Sequence, residues 1–319
     1  MKIIYFTKEA WEEDYFKQKL PGFDVVCITG SLQDALVSGK LEKDFDAEII
    51  SLFVNSSVGA AELERFRGLK LIATRSTGFD HVDVGAAKAR GVSVATVPAY
   101  GANTVAEFAF ALILALSRRV CEAHARTAAE HALSQEGLRG FDLAGKTLGI
   151  VGCGHIGAHV AQIAAGFGMH MLVYDERHDD ALAQKLGFKY TSLSELLAAS
   201  DIVTLHAPYT PQTHHLINRE NIGSLKKGAY LINTARGALV ETEALVGALR
   251  SGALAGAGLD VLEDEKTLTE EERFLAEHPR VIVTPHIAFD TDEAVLRIVD
   301  TTVENIQTFA DGSPQNLVA

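Results

Sequence analysis

One run of the sequence constrains the fold more than any other. From Thr147 the chain reads as a short apolar strand, TLGIV, followed by Gly152-Cys-Gly154-His-Ile-Gly157. HVAQIAAGFGM then reads as a helix, and HMLVYD as a second strand ending in Asp175, 18 residues beyond the third glycine. Glycines at that spacing between a strand and a helix, with an acid at the next strand end, form a complete βαβ dinucleotide fingerprint. Gly152 permits a tight turn, Gly154 lets backbone approach a pyrophosphate, and Gly157 lets the helix pack close to the strand. The helix N-terminus presents free N–H groups and a positive dipole to the phosphates. Asp175 would accept hydrogen bonds from a ribose and repel a 2′-phosphate, which favours NAD over NADP. Arg177, two residues on, leaves use of NADP open.

A fingerprint of this kind usually opens a domain, yet this one begins near the middle of a 319-residue chain. That length suggests two domains. Before it, KIIYF, DVVCIT, AEIISLF, KLIATRS and VSVATVP are short β-rich runs separated by amphipathic stretches such as 57–67. After it, HMLVYD, DIVTLHAP, AYLINTA, LAGAGLDV and RVIVTPH repeat the alternation. Strands alternating with helices predict parallel α/β sheets in both parts. Between them NTVAEFAFALILALSRR, 103–119, predicts a long helix with Asn103 and Thr104 as caps and Glu107 in its first turn. It is apolar nearly all round, which predicts burial between layers or at an interface. A polar helix and loop follow, and a last helix is expected over about 291–311.

The net charge of -13 argues against nucleic acid as a partner. No apolar run is long enough to span a bilayer, and the start, MKIIYFTKEAWEEDYF, is unlike a signal peptide. Cys27, Cys121 and Cys153 are odd in number and far apart, so neither a disulfide framework nor a zinc site is expected, and a reducing cytoplasm is the simple reading. No metal-ligand spacing is visible among the 12 histidines. His214 and His215 read as surface residues.

Polar residues cluster where the second set of strands ends: His206, Arg236, Asp260, Glu265 and His286. In open α/β sheets ligands bind outside the carboxyl ends of strands. An arginine there can clamp a carboxylate and polarise a carbonyl. Taken singly, each of these residues is as readily a surface or packing residue.

In order, STGFDHVD, NTVAEFAFALILALSRR, GIVGCGHIG with VYD, HAPYTPQT, LINTARG, GLDVLEDE and TPHIAFDT resemble the NAD-dependent D-isomer-specific 2-hydroxyacid dehydrogenases over nearly the whole chain. TPHIAFDT and the closing helix look most like the D-lactate dehydrogenases. The resemblance implies two Rossmann-like or flavodoxin-like domains. A substrate domain of residues 1–100 and 289–319 would be interrupted by a nucleotide domain of 101–288. It implies a catalytic set of Arg236, Glu265 and His286. His286 would be the general acid/base, Glu265 would hold the imidazole and favour its charged form, and Arg236 would bind the substrate carboxylate. Ser76, Thr77 and Gly78 would offer backbone N–H groups to the same carboxylate. Cofactor contacts would come from Thr104, Gly152, Gly154, His155, Ile156, Gly157, Asp175, His206, Ala207, Pro208, Thr213, Thr234, Ala235, Arg236, Asp260 and His286, with Asp260 toward the nicotinamide carboxamide.

Phe53, Val54, Tyr100 and Phe289 would wall the substrate side chain. Pyruvate and D-lactate are the favoured pair. Glyoxylate and hydroxypyruvate reduction, and a non-catalytic NAD-sensing protein like the family's corepressors, are the alternatives. The helix from Asn103 and the arm after Val120 resemble the family's homodimer interface. One departure stands out: many relatives have proline soon after the glutamate, whereas here Glu265 precedes Lys266 in a long acidic stretch, EKTLTEEERFLAEHP.

Overall fold

Short runs of β-branched and aliphatic residues bounded by glycine and polar turns leave a chain little choice but buried parallel strands, with the helices between them covering both faces. The computed structural model describes residues 1–131, 133–265 and 267–318; Lys266 lies outside the described residues. The chain divides into two compact units, Met1–Tyr100 with Thr291–Ala319, and Gly101–Asp290.

In the first unit β1 (Lys2–Thr7), β2 (Asp24–Thr29), β3 (Ile49–Leu52), β4 (Leu71–Thr74) and β5 (Ser93–Ala95) form one parallel sheet in the order β2-β1-β3-β4-β5. The two-residue period of a strand sends Ile4 and Phe6 to one face and Ile3 and Tyr5 to the other. The second face is closed by the C-terminal helix Asp292–Ala310, whose Val299, Val303 and Ile306 pack on Ile3, Tyr5, Ile49 and Leu71. Thr291 caps that helix through the N–H of Ala294, and Asp292 and Glu293 sit in its first turn, where acids suit the dipole.

In the second unit β6 (Thr147–Val151), β7 (His170–Tyr174), β8 (Lys189–Tyr190), β9 (Ile202–Leu205), β10 (Ala229–Asn233), β11 (Leu254–Leu259) and β12 (Val281–Val283) form a parallel sheet in the order β12-β11-β10-β9-β6-β7-β8. The order reverses between β6 and β9, which makes their carboxyl ends the switch point where ligands bind in such sheets. The two-residue β8 is absent from the sequence reading, since a strand that short has no periodicity to see.

The long apolar helix spans Ala102–Arg118 and packs against the helix His155–Gly166, which follows the glycine turn, and against β10 and β11. Its caps differ from those expected. Gly101, not Asn103 or Thr104, is the N-cap, so Thr104 falls in the first turn and is buried at 4% exposure. Asn103 instead reaches Glu107 one turn on, at 3.3 Å. The next helix, Val120–Glu130, buries no residue in the described chain, and Val120 is exposed. No helix among the described residues is long and apolar enough to cross a membrane.

Candidate active site

The glycine turn leaves β6 at the switch point. Gly152 has φ +89, a region that favours glycine, and a Cβ there would lie 2.6 Å from the Ala207 nitrogen. A Cβ on Gly157 would overlap the carbonyl oxygen of Gly152 and come within 3.1 Å of its carbon. Gly154 differs: a Cβ there would meet nothing within 4 Å. Two glycines therefore serve packing, and the middle one keeps its backbone open. Asp175, just past β7, ties the turn down. One of its oxygens accepts from Cys153 N at 2.6 Å and the other from Arg177 N at 2.8 Å.

Across the switch point, His206 follows β9. Burial pushes its imidazole down to about 3, so the ring is neutral at physiological pH. Its Nε2 shares a hydrogen bond with Thr204 Oγ1 at 2.9 Å, while its buried Nδ1 meets no partner among the described residues. Thr234 Oγ1, past β10, is likewise buried and unmatched. Buried polar atoms without partners are uncommon and expensive. Two of them at the ends of adjacent strands, beside an open glycine at a helix N-terminus, fit a polar ligand such as a dinucleotide. His155 and Ile156 begin the helix after the turn, exposed and half-buried. Ala207 is half-buried and Pro208 exposed; Thr213 closes the following turn by donating to Pro208 O at 2.7 Å.

The histidine lies on the same carboxyl edge, past β12. His286 is held in the left-handed region at φ 54, uncommon for a residue with a side chain and a frequent mark of a functional position. Its N–H donates to Asp260 O at 2.8 Å and to Thr284 O at 3.0 Å. Asp260 is 1% exposed and organises the turn from inside. It accepts from Thr284 Oγ1 at 2.5 Å, Ile287 N at 3.0 Å and Ala288 N at 2.8 Å. Burial raises its carboxyl above the usual range, against the pull of those three bonds and of His286. These bonds also keep residues 287–288 with the second unit, which ends at Asp290. His286 Nδ1 lies 3.0 Å from Glu265 Oε2, and the Phe289 ring stands edge-on at 6.4 Å.

Arg236 follows β10. Asn233, 1% exposed, shapes its turn by accepting from Ala235 N at 3.0 Å and donating to Arg236 O at 2.8 Å. Arg236 Nη1 donates to the carbonyl of Ala235 at 2.8 Å. Asn233 is not among the site residues expected from the sequence, although an asparagine two residues before a turn N–H is a recognisable local signal.

His214 is exposed, but His215 is not a plain surface residue. Its Nε2 lies 2.5 Å from Glu263 Oε1, and both side chains are about 30% exposed, at 30% and 31%. Burial would raise the Glu263 carboxyl, but the His215 and Thr242 hydrogen bonds outweigh it and leave the group below its ordinary value. The 48-residue separation of this pair hides it from local pattern reading.

In the first unit the loop after β4 has both hydroxyls committed: Ser76 Oγ donates to Gly78 O at 2.6 Å and Thr77 Oγ1 to Val97 O at 2.7 Å. What this loop presents is therefore mainly backbone. Beneath it Arg75 is buried against Glu12, Nη1 to Oε2 at 2.5 Å, with further bonds to Tyr5 Oη at 3.0 Å and to Phe6 O. Its guanidinium also sits 5.8 Å from the Phe53 ring centre. Tyr100 O accepts from Arg297 Nε at 2.5 Å. Among the described residues no group of three or more His, Cys, Asp or Glu could hold a metal ion.

A glycine turn at the switch point of a parallel sheet, with a histidine–carboxylate pair on the same edge, defines a dinucleotide-dependent oxidoreductase. Comparison with known proteins agrees. Residues 110–288 match the model of the D-isomer specific 2-hydroxyacid dehydrogenase, NAD binding domain. A 2-hydroxyacid dehydrogenase homolog of Zymomonas mobilis is 41% identical, covering 96% of each chain. The D-lactate dehydrogenase of Escherichia coli is 35% identical over the full length of both. The crystal structure of the Aquifex aeolicus D-lactate dehydrogenase complexed with NAD and lactic acid superposes with a TM-score of 0.90, at 36% identity over 99% of this chain and 98% of that one. Relatives also include an aromatic 2-oxoacid reductase of Clostridium sporogenes, 36% identical over 97% of this chain and 96% of its own, and a glyoxylate reductase of Thermococcus litoralis, 39% identical over 87% and 85%. The chain belongs to the D-isomer-specific 2-hydroxyacid dehydrogenases, and NAD is its cofactor.

Proposed function

We propose that this NAD-dependent 2-hydroxyacid dehydrogenase interconverts a small 2-keto acid and its D-2-hydroxy acid, with pyruvate and D-lactate as the preferred pair. The observation that carries the reading is the His286–Glu265 pair on the Asp260-braced turn. Because Glu265 engages Nδ1, Nε2 is the nitrogen that works. In the reducing direction the imidazolium gives its Nε2 proton to the keto oxygen; in the oxidising direction the neutral ring takes the hydroxyl proton. NADH, when bound, would supply the hydride for the keto carbon. Arg236 binds the substrate carboxylate and polarises the carbonyl.

Gly154, Asp175, His206 and Thr234 are the residues we assign to NAD, through open backbone, a ribose-side carboxylate and two unmatched buried atoms. Relatives named for D-lactate, aromatic 2-oxo acids and glyoxylate set the panel to be tried. The exposed helix Val120–Glu130 supports a homodimer as the working assembly, and three free cysteines fit a reducing cytoplasm.

The test is NADH oxidation with pyruvate, glyoxylate, hydroxypyruvate and phenylpyruvate, NADPH run alongside, and chiral analysis of the product. Pyruvate should give the highest kcat/KM and a D product. His286→Ala should abolish turnover and leave NADH binding intact. Binding of NADH with no turnover across the panel would leave a sensing protein instead.

A further inference from the structure

The acidic stretch after Glu265 contains one buried carboxylate, Glu272. Glu272 is 1% exposed and lies in the first turn of the helix Glu270–Glu277. One of its oxygens accepts from Thr269 N at 2.9 Å, and Thr269 Oγ1 accepts from Glu272 N at 3.2 Å, a capping box. The other oxygen reaches back to Asp264 N, also at 2.9 Å. A capping box requires only the first of these. The second ties Asp264, ahead of the loop that leads into this helix, to the same carboxylate, and Glu265 is the residue next to Asp264. A carboxylate is costly to bury unless its oxygens are satisfied, and here both are satisfied by backbone N–H groups.

The residue before Asp264 is fixed as well. Glu263 is bonded to His215 and, at 2.7 Å, to Thr242 Oγ1. The backbone at Leu262 and Glu263 lies flush on Gly237, where a Cβ would come within 2.5 Å of Glu263 N. Glu265 itself is 45% exposed on its side chain, so packing of its own does little to place it. His286 is faced by the carboxylates of Glu265 and Asp260 and by the Phe289 ring.

We propose that Glu272 is a positioning residue of the reaction: by holding Asp264 N and Thr269 N it keeps the neighbouring Glu265 carboxylate on His286 Nδ1. The proposal rests on the reading of His286 and Glu265 as the acid/base pair. Glu272 acts through Asp264 and Glu265. It therefore governs the rate of the proton-transfer step and has no part in cofactor affinity.

The experiment uses the full chain and four variants: Glu272→Gln, Glu272→Ala, Thr269→Ala and Glu265→Gln. Glutamine is the same size but offers one acceptor oxygen to two N–H groups, so Glu272→Gln is the variant least exposed to a folding defect. Its kcat for keto-acid reduction should fall by about tenfold, short of the ~10²-fold that a 1 Å misplacement produces, with the Kd for NADH unchanged. In the cofactor-free protein the His286 Nδ1 nitrogen-15 resonance should move toward its position in Glu265→Gln. Thr269→Ala removes the helix cap but spares the Asp264 bond. It should lower the melting temperature while leaving kcat and the His286 resonance at wild-type values.

The proposal is overturned if Glu272→Gln keeps wild-type kcat and resonance while Glu265→Gln changes both. It is equally overturned if Thr269→Ala reproduces the Glu272 effects, since helix stability would then be the cause. If Glu265→Gln itself changes neither readout, the acid/base reading falls, and the role of Glu272 with it.

Discussion

The three glycines of the cofactor turn are alike in sequence and unlike in structure, and alanine at two of them should separate folding from binding. At Gly157 a methyl group overlaps the Gly152 carbonyl oxygen and presses on its carbon at 3.1 Å. Those are backbone atoms in a turn pinned by Asp175, so they cannot step aside as a flexible side chain would. Overpacking of this kind costs about 1–3 kcal/mol. In a unit of roughly 150–250 residues, where 1 kcal/mol moves Tm by about 2–4 °C, the upper end lowers Tm by about 6–12 °C. At Gly154 a methyl group enters open space at an ordinary φ of -72, so the cofactor-free protein should melt within about 1 °C of wild type. That open space is the one we assign to the pyrophosphate, and on that assignment a methyl group there should weaken NADH by about 2 kcal/mol, roughly thirtyfold in Kd. Differential scanning calorimetry without cofactor and fluorescence titration with NADH read the two effects separately. Wild-type NADH affinity in Gly154→Ala would refute the assignment of that space to the cofactor. An unchanged Tm in Gly157→Ala would refute the packing argument.

Two further perturbations test buried charge. Burial takes His206 from 6.5 down to about 3, so the folded state holds it neutral. The stability this contributes is fully present above about pH 6.5 and is lost as pH falls toward 3, at up to ~1.4 kcal/mol per pH unit. Urea unfolding of cofactor-free protein at pH 7.5 and pH 5 should therefore show wild type losing ~2 kcal/mol more than His206→Gln; equal losses would mean that the ring is solvated. In the first unit, Glu12→Gln leaves the Arg75 guanidinium buried without its counter-charge and should cost about 3–5 kcal/mol. The double variant Glu12→Leu with Arg75→Met should recover part of that in denaturant unfolding, and a loss below ~1 kcal/mol for the single change would show water reaching the pair.

Much of the fold is legible in the sequence because periodicity and punctuation agree. Ile3 to Phe6 alternate between two cores, and each apolar run that ends at a glycine, a proline or an acid becomes a parallel strand. What failed to show is local and short. Lys189–Tyr190 carries no pattern at all. The long helix starts at Gly101 although Asn103 and Thr104 are better capping residues, because the chain enters the second unit there and tertiary packing carries Thr104 inward. Capping preferences of about 1 kcal/mol yield to burial of a side as apolar as Val105, Ala109, Phe110, Leu112 and Ile113.

The site divides along the same line. Gly152 and Asp175 are legible because both belong to the βαβ fingerprint, whereas Arg236 and His286, though at strand ends too, are singled out only by the family resemblance. Glu265 is less legible still, since it belongs to an acidic stretch with no period. Its position is decided by Gly237 under the backbone and His215 and Thr242 on Glu263, all distant in sequence, and by Glu272 on Asp264 from the next helix. None of these resembles a catalytic residue, and two of them, His215 and Glu272, read in isolation as solvent-facing charge. A buried carboxylate in a run of glutamates is visible only once the helix is folded, because Glu270 shares its chemistry but is exposed and Glu271 is only half-buried. What sets Glu272 apart is its place as the third residue of a capped helix, which turns its carboxylate back over the loop. The geometry of one short helix thus selects, among several identical side chains, the one that can hold the partner of His286.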